Sequence, residues 1–194
     1  MSRKRSFDGR SWSSEQLSYL FKEKIANAIA VKIMPVLNCF IMSDRLNTLC
    51  WKLLGVEVGK GSKIRIGTRI NAPSKLKIGR HCLIHGVIKS RGGVLIGNGV
   101  EFVEDVFVST QSHNAQSKWF ESVYLPIDIQ DYAWIGPRSA ILQGVVVCEG
   151  CVVGANAVVT SNTVAWGVYV GVPARMIKHR EKLTLTDGEY ETNI

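Results

Sequence analysis

A mainly β coil with three flat sides, preceded by short α-helices, is the fold this sequence predicts, and three patterns predict it. From Val58 onward an aliphatic residue recurs at every sixth position, a second apolar column runs two residues ahead of it, and glycine often follows the first column directly. The main column reads Ile66, Ala72, Ile78, Ile84, Ser90, Ile96, Phe102, Val108, and resumes as Ile129, Ile135, Ile141, Val147, Val153, Val159. Only Ser90 among them is polar. The earlier column reads Ile64, Ile70, Leu76, Cys82, Ile88, Val94, Val100, Val106, then Ile127, Ala133, Ser139, Val145, Cys151, Ala157, Thr163.

A period of six fits neither a helix, at about 3.6 residues per turn, nor a free strand, at about 2. It fits a coil whose sides are single short strands with a turn at each corner. The main-column residue points into the prism, and so does the residue two before it, because strand side chains alternate. Three sides make a rung of about 18 residues, and stacked rungs merge the columns into one core. Gly67, Gly79, Gly97, Gly136 and Gly154 follow the main column, where positive φ or crowding would penalise a Cβ.

The register breaks once. From Val108 to Ile129 is 21 residues, three more than a rung, and 112–126 loses the pattern. A polar loop with Trp119, Phe120 and Tyr124 is therefore expected to bulge from the prism. Because it adds nothing to the stacked core, it is the expected seat of function.

Ahead of the coil, Leu17, Leu20, Phe21, Ile25, Ala28 and Ile29 share one face of a helix that begins near Ser14 and that Pro35 should end or kink. A second helix has Ser43 as N-cap, Asp44 for the dipole, a stripe of Leu46, Leu49, Cys50 and Leu53, and Gly55 for its left-handed end. Both stripes are expected to pack on the rest of the protein. For the first helix, with Lys22, Lys24 and Lys32, a membrane-surface contact is the alternative. Within Ile25 to Met42, Asn27, Lys32, Pro35 and Asn38 argue against a span. The expected divisions are a helical extension at 1–57, the coil at 58–180 with a loop inserted at 112–126, and a tail at 181–194.

The 194 residues, 46% apolar and 21% charged, suit one folded domain. With 24 Lys+Arg against 16 Asp+Glu, the net charge of +8 favours anionic partners. Nucleic acid is not expected, because the basic residues are dispersed without interleaved aromatics. Five cysteines form no disulfide framework, which points to a reducing, cytoplasmic setting. Cys148 and Cys151 have the spacing of a redox pair, yet Cys151 falls in an inward column and reads as a buried thiol. Basic residues at 3, 4 and 5 lead into the polar run from Asp8 to Gln16, unlike a signal peptide.

From about Gly55 to Arg180 the sequence resembles the hexapeptide-repeat acetyltransferases. The resemblance rests on the hexad array, on Ser112-His113-Asn114, Ala133-Trp134-Ile135-Gly136 and 153–159, and on Gly171-Val172-Pro173-Ala174-Arg175. It implies a left-handed parallel β-helix, a homotrimer with active sites between subunits, and acetyl-CoA as co-substrate without a metal. Within that family it is similar to the branch acetylating sugar hydroxyls in exopolysaccharide synthesis, typified by the colanic acid acetyltransferase, which shares an N-terminal extension and a helix ending like Leu53-Leu54-Gly55. The family's catalytic base maps onto His113. Its acetyl-CoA contacts map onto Trp134, Gly136, Pro137, Gly154, Ala155, Thr160, Ser161 and Lys178. Pro137 replaces a serine often found there. Cys82-Leu83-Ile84-His85 stands where sugar-acetylating relatives carry an asparagine, so acceptor recognition is open, with His85, Trp119 and Phe120 as candidates.

Acetyl transfer to a hydroxyl needs a base for the alcohol proton, donors for the oxyanion, and alignment of thioester with acceptor. A neutral histidine suits the first role, and Asn114 could orient its ring or bond the acceptor. No Ser or Cys has a nucleophile's setting, so direct transfer is expected rather than an acyl-enzyme. Arg175, Lys178 and Arg180 gather where the coil ends and could meet the CoA phosphates. Three other readings stand beside this one. They are N-acetylation of an amino-sugar, antibiotic or serine-like acceptor; a γ-type carbonic anhydrase with zinc on His81, His85 and His113; and a non-catalytic β-helix.

Overall fold

The computed structural model describes residues 13–37 and 43–182. The basic start at 1–12, Cys39 and the tail from 183 lie outside the described residues. The coil is a left-handed parallel β-solenoid of about six turns. Its first side stacks Glu57–Val58, Leu76–Ile78, Val94–Ile96, Ile127–Ile129 and Val146–Val147. The second stacks Lys63–Ile64, Leu83–Ile84, Glu101–Phe102, Trp134–Ile135, Val152–Val153 and Gly167–Val170, with Arg175–His179 antiparallel at its end. The third stacks Arg69–Asn71, Gly86–Lys89, Val106–Ser109, Ala140–Ile141 and Val158–Val159.

Both predicted columns point inward. Every residue of the earlier column is buried, and every main-column residue is too except half-buried Ile66. The polar members are satisfied locally: Ser90 Oγ bonds the carbonyls of Asn71 and Ala72 at 2.5 and 2.9 Å, and Ser139 Oγ donates to Gly136 O at 2.8 Å. Cys151 is fully buried, and burial pushes its thiol up to about 11; burial also raises Cys82.

The stack departs from a strict six in the early turns. Ile70 sits on Ile88, a regular 18 residues further along, but Ile64 sits on Ile84 and Ile88 on Val108, each two residues more. The extra residues fall at the corner between the third and first sides, first in a 3₁₀ turn at Pro73–Lys75 and then around Gly92 and Gly93. Ala72 and Ser90 of the predicted column stand at these irregularities. The 21-residue interval crosses one corner of this kind, where six residues suffice in regular turns.

Of the five predicted glycines Gly67 alone, at φ +90°, has a left-handed backbone. At Gly79 the reason is crowding, since a Cβ would lie 2.5 Å from the Gly97 carbonyl of the next turn. The left-handed corner residue comes two positions later and is often not glycine: His81, Asp105, Tyr132, Arg138 and Asn156 have φ between 56° and 62°.

The helices differ more from expectation. α1 (Ser14–Ala28) runs through a π turn (Ile29–Ile33) into α2 (Met34–Leu37), so Pro35 does not end the helix. The wider turn, with Met34 N–H bonded to Ile29 O, accommodates a residue that lacks a donor. Its buried residues are Ala30 and Met34, whereas the expected face is outward: Phe21 is 66% and Ile25 45% exposed.

α3 (Asp44–Leu53) likewise buries Asn47, Thr48 and Trp51 and leaves Leu46, Leu49 and Leu53 exposed. The cause is the open end of the prism. Strand Lys63–Ile64 is an edge, and its unpaired backbone groups need partners. Asn47 Nδ2 donates to Ile64 O and Arg65 O at 3.0 and 2.9 Å; Thr48 Oγ1 accepts from Ile64 N–H and Asp44 Oδ1 from Ile66 N–H. Trp51, fully buried, covers the end of the aliphatic stack. Ser43 is the N-cap without a side-chain bond, and Gly55 ends the helix at φ +105° as expected. Trp51→Ala should cost about 3–5 kcal/mol in chemical denaturation. Trp51→Phe should cost clearly less, because the indole N–H has no partner to lose.

Candidate active site

The inserted segment is a hairpin. After strand Val106–Ser109 of the third side, Gln111–His113 pairs antiparallel with Ser122–Tyr124, placing His113 opposite Ser122. Its root is tied to the coil: Thr110 Oγ1 donates to Lys89 O at 2.7 Å and accepts from Gly92 N–H, and Leu125 N–H returns to Thr110 O. Arg91, from the same corner one turn earlier, reaches the Tyr124 hydroxyl at 3.5 Å and thereby lowers its pKa.

The His113 ring is exposed, with Nδ1 2.5 Å from the Phe120 carbonyl oxygen. A carbonyl can only accept, so Nδ1 carries the hydrogen and Nε2 of the neutral ring holds the free lone pair. Phe120 has φ +45°, a left-handed backbone that aims its carbonyl back at the ring. Asn114 is occupied elsewhere: its Nδ2 donates to Glu121 Oε1 at 3.1 Å and its Oδ1 accepts from Gln116 N–H at 3.1 Å. The ring is held by a backbone carbonyl, while Asn114 fixes the tip that carries this carbonyl. Hydrogen bonds from Ser117, its own N–H and Asn114 keep the Glu121 carboxyl below its ordinary range. Breaking this clamp by Asn114→Ala should redistribute the His113 tautomers, read as a change in the imidazole ¹⁵N shifts; Asn114→Asp should do the same by setting two carboxylates together.

Trp119 and Phe120 are 78% and 60% exposed at the tip, with Lys118 Nζ 4.9 Å over the Trp119 ring. His85 is not beside them. It stands at the corner between the second and third sides, where Nδ1 accepts from Asp105 N–H at 3.1 Å and supports that residue's left-handed turn. His81 lies at the corner between the first and second sides, so the three histidines occupy three different corners. Among the described residues no group of three metal-capable side chains forms. Cys148 and buried Cys151 belong to one corner turn, with Cys151 N–H bonded to Cys148 O.

The other predicted residues fall into separate groups. Register sets Trp134, Val152, Val168 and Lys178 in one outward row on the second side. Gly136, Pro137, Gly154 and Ala155 follow its strands at the corner between the second and third sides. Arg175 shares the terminal hairpin with Lys178. Thr160 and Ser161 lie at the hairpin's own corner, two turns beyond it. In a triangular prism the second side faces away from the corner that bears His113. One chain therefore holds both halves of the predicted site without bringing them together.

Residues 126–161 match the bacterial transferase hexapeptide family (six repeats). The protein named as a colanic acid biosynthesis acetyltransferase of Escherichia coli strain K12 is 29% identical over 162 residues, covering 79% of this chain and 89% of that one. The chain is thus similar to hexapeptide-repeat acetyltransferases. Another relative, a protein of Schizosaccharomyces pombe named as an acetyltransferase, is 40% identical over 91 residues, which are 45% of this chain and 44% of that protein. A hexapeptide-repeat acetyltransferase crystal structure from Vibrio cholerae superposes with a TM-score of 0.75 at 22% identity, covering 83% of this chain and 94% of that one, and shares the fold.

Sequence reasoning alone would not have found Phe120 O, Thr110 or Glu121. A backbone carbonyl leaves no residue signature, and Asn114 and Glu121 meet only because the loop is a paired hairpin.

Proposed function

We propose that this acetyltransferase transfers the acetyl group of acetyl-CoA directly to a hydroxyl of a sugar or glycan precursor in polysaccharide biosynthesis, working in the cytoplasm as a homotrimer. The observation that carries this reading is His113, with Nδ1 tied to Phe120 O and Nε2 free. Nε2 takes the hydroxyl proton as the oxygen attacks the thioester carbonyl. The Phe120 carbonyl supports the imidazolium that forms. Collapse of the tetrahedral intermediate expels the CoA sulfur, which recovers the proton from Nε2, so the ring ends as it began.

The donor half of the site is the outward row of Trp134 and Lys178, with Gly136, Pro137, Gly154 and Ala155 at the adjoining corner and Arg175 near the phosphates. Since these lie away from the hairpin corner of the same chain, the reading places them on a neighbouring subunit. Head-to-tail packing around a threefold axis joins unlike surfaces in this manner. Trp119 and Phe120, large and exposed, offer a stacking surface for a sugar ring, and Asn114 serves the hairpin.

A thiol-release assay with acetyl-CoA tests this against free sugars, nucleotide sugars and lipid-linked sugars, each paired with its amino analogue. Hydroxyl acceptors should yield a hydroxylamine-sensitive ester together with one CoA per turnover. Turnover confined to the amino analogues would instead establish N-acetylation.

A further inference from the structure

A groove of about 500 Å³ runs between the helical extension and the outer face of the third side. Val31 and Pro35 form one wall; Val87 and Phe107 form the floor; Arg69 and Lys89 stand in it. Register makes this arrangement firm, because Arg69, Val87 and Phe107 are Cα partners on successive strands and so share the outward face. Lys89, two residues beyond Val87, points the same way, with its ammonium 5.4 Å over the Phe107 ring.

Two features define the occupant. Among the described residues no carboxylate lines the groove and Arg69 has no ion pair, and the Lys89 ammonium lies over an aromatic face. The remaining lining is mostly hydrocarbon, from Ala30, Val31, Pro35, Val87 and Phe107. Cations without acids call for an anion, and an apolar wall and floor call for a hydrocarbon chain. A nucleotide sugar or a free sugar would leave that apolar surface wet.

The groove also adjoins the chemistry. Phe107 lies on the strand that continues into the hairpin, six residues before His113, a span of at most about 20 Å even fully extended. We propose that the groove binds a prenyl phosphate group, and hence that the acetyl acceptor is a sugar carried on a phosphorylated isoprenoid lipid. This rests on the acetyltransferase reading with His113 as base and names its acceptor class. The phosphate sits at Arg69 and Lys89, the chain lies against Val31, Pro35, Val87 and Phe107, and the sugar extends toward the hairpin.

Isothermal titration of the full-length protein with farnesyl phosphate tests the groove without any catalysis. Saturable binding is expected, at least tenfold tighter than for farnesol or inorganic phosphate. The double variant Arg69→Gln/Lys89→Gln should lose about tenfold or more, and Val31→Asp should weaken it comparably. His113→Ala should bind farnesyl phosphate like the parent while losing transfer, which separates this proposal from the catalytic one. Farnesyl phosphate binding no tighter than farnesol, or unchanged in the double variant, would overturn it. So would variants that lose affinity only for phosphatidylglycerol vesicles, since that marks the groove as a membrane contact.

Discussion

His113→Ala lowers kcat by about 10²–10⁴, the usual worth of a general base, while acetyl-CoA binding stays near the parent value. The separation follows from the position of the ring. It is exposed on a hairpin that leaves the third side, bonded to the hairpin's own Phe120 carbonyl and outside the core. Removing it should leave the fold and the donor surface intact and delete one proton acceptor. His113→Gln is the sharper control, because an amide can keep the bond to Phe120 O yet has no basic lone pair at neutral pH. Steady-state kinetics with both substrates varied, together with equilibrium binding of CoA, checks this. Parent-like turnover in either variant would remove His113 from the chemistry.

Ile135→Asp abolishes folding. Ile135 is fully buried on the second side, stacked between Phe102 and Val153. A carboxylate there has no cation and no free donor, since the neighbouring backbone groups are already used between turns. Burying it unpaired costs several kcal/mol even after the group neutralises itself by taking a proton. A domain has only about 5–15 kcal/mol to lose. The loss is also cooperative, because each turn of a solenoid is held by its neighbours. Circular dichroism and gel filtration of Ile135→Asp beside Ile135→Val, the latter costing about 0.5–1.5 kcal/mol, distinguish a lost fold from a poor preparation. A soluble, parent-like Asp variant would contradict the inward placement.

The coil was legible in the sequence because its determinants are local and repeated. Each aliphatic column needs only its own spacing, and Ile129 through Val159 fall where the spacing puts them. Deviations in the early turns were not legible, because Ala72 and Ser90 continue the six-residue count by chance at corners that hold extra residues. The helices failed for a different reason. A helical stripe is ordinarily the buried face, but α3 closes a strand edge, and that edge needs hydrogen bonds more than hydrocarbon; Asn47 and Thr48 therefore turn inward while Leu46 and Leu49 turn out. The hairpin was visible as an interruption and His113 as its basic residue. The Asn114–Glu121 clamp and the αL carbonyl of Phe120 are products of pairing that no single-position signal announces.

The direct test of a site shared between copies is complementation. His113→Ala protein and Trp134→Ala/Lys178→Glu protein, each weakly active alone at low acetyl-CoA, are co-expressed at equal levels and assayed as mixed oligomers. If one chain supplies the imidazole and its neighbour the donor surface, random mixing restores about a quarter of the interfaces, as head-to-tail geometry requires, and activity rises to about that fraction of the parent. Activity no greater than the mean of the two separate variants would show that each chain works alone and would contradict the shared site.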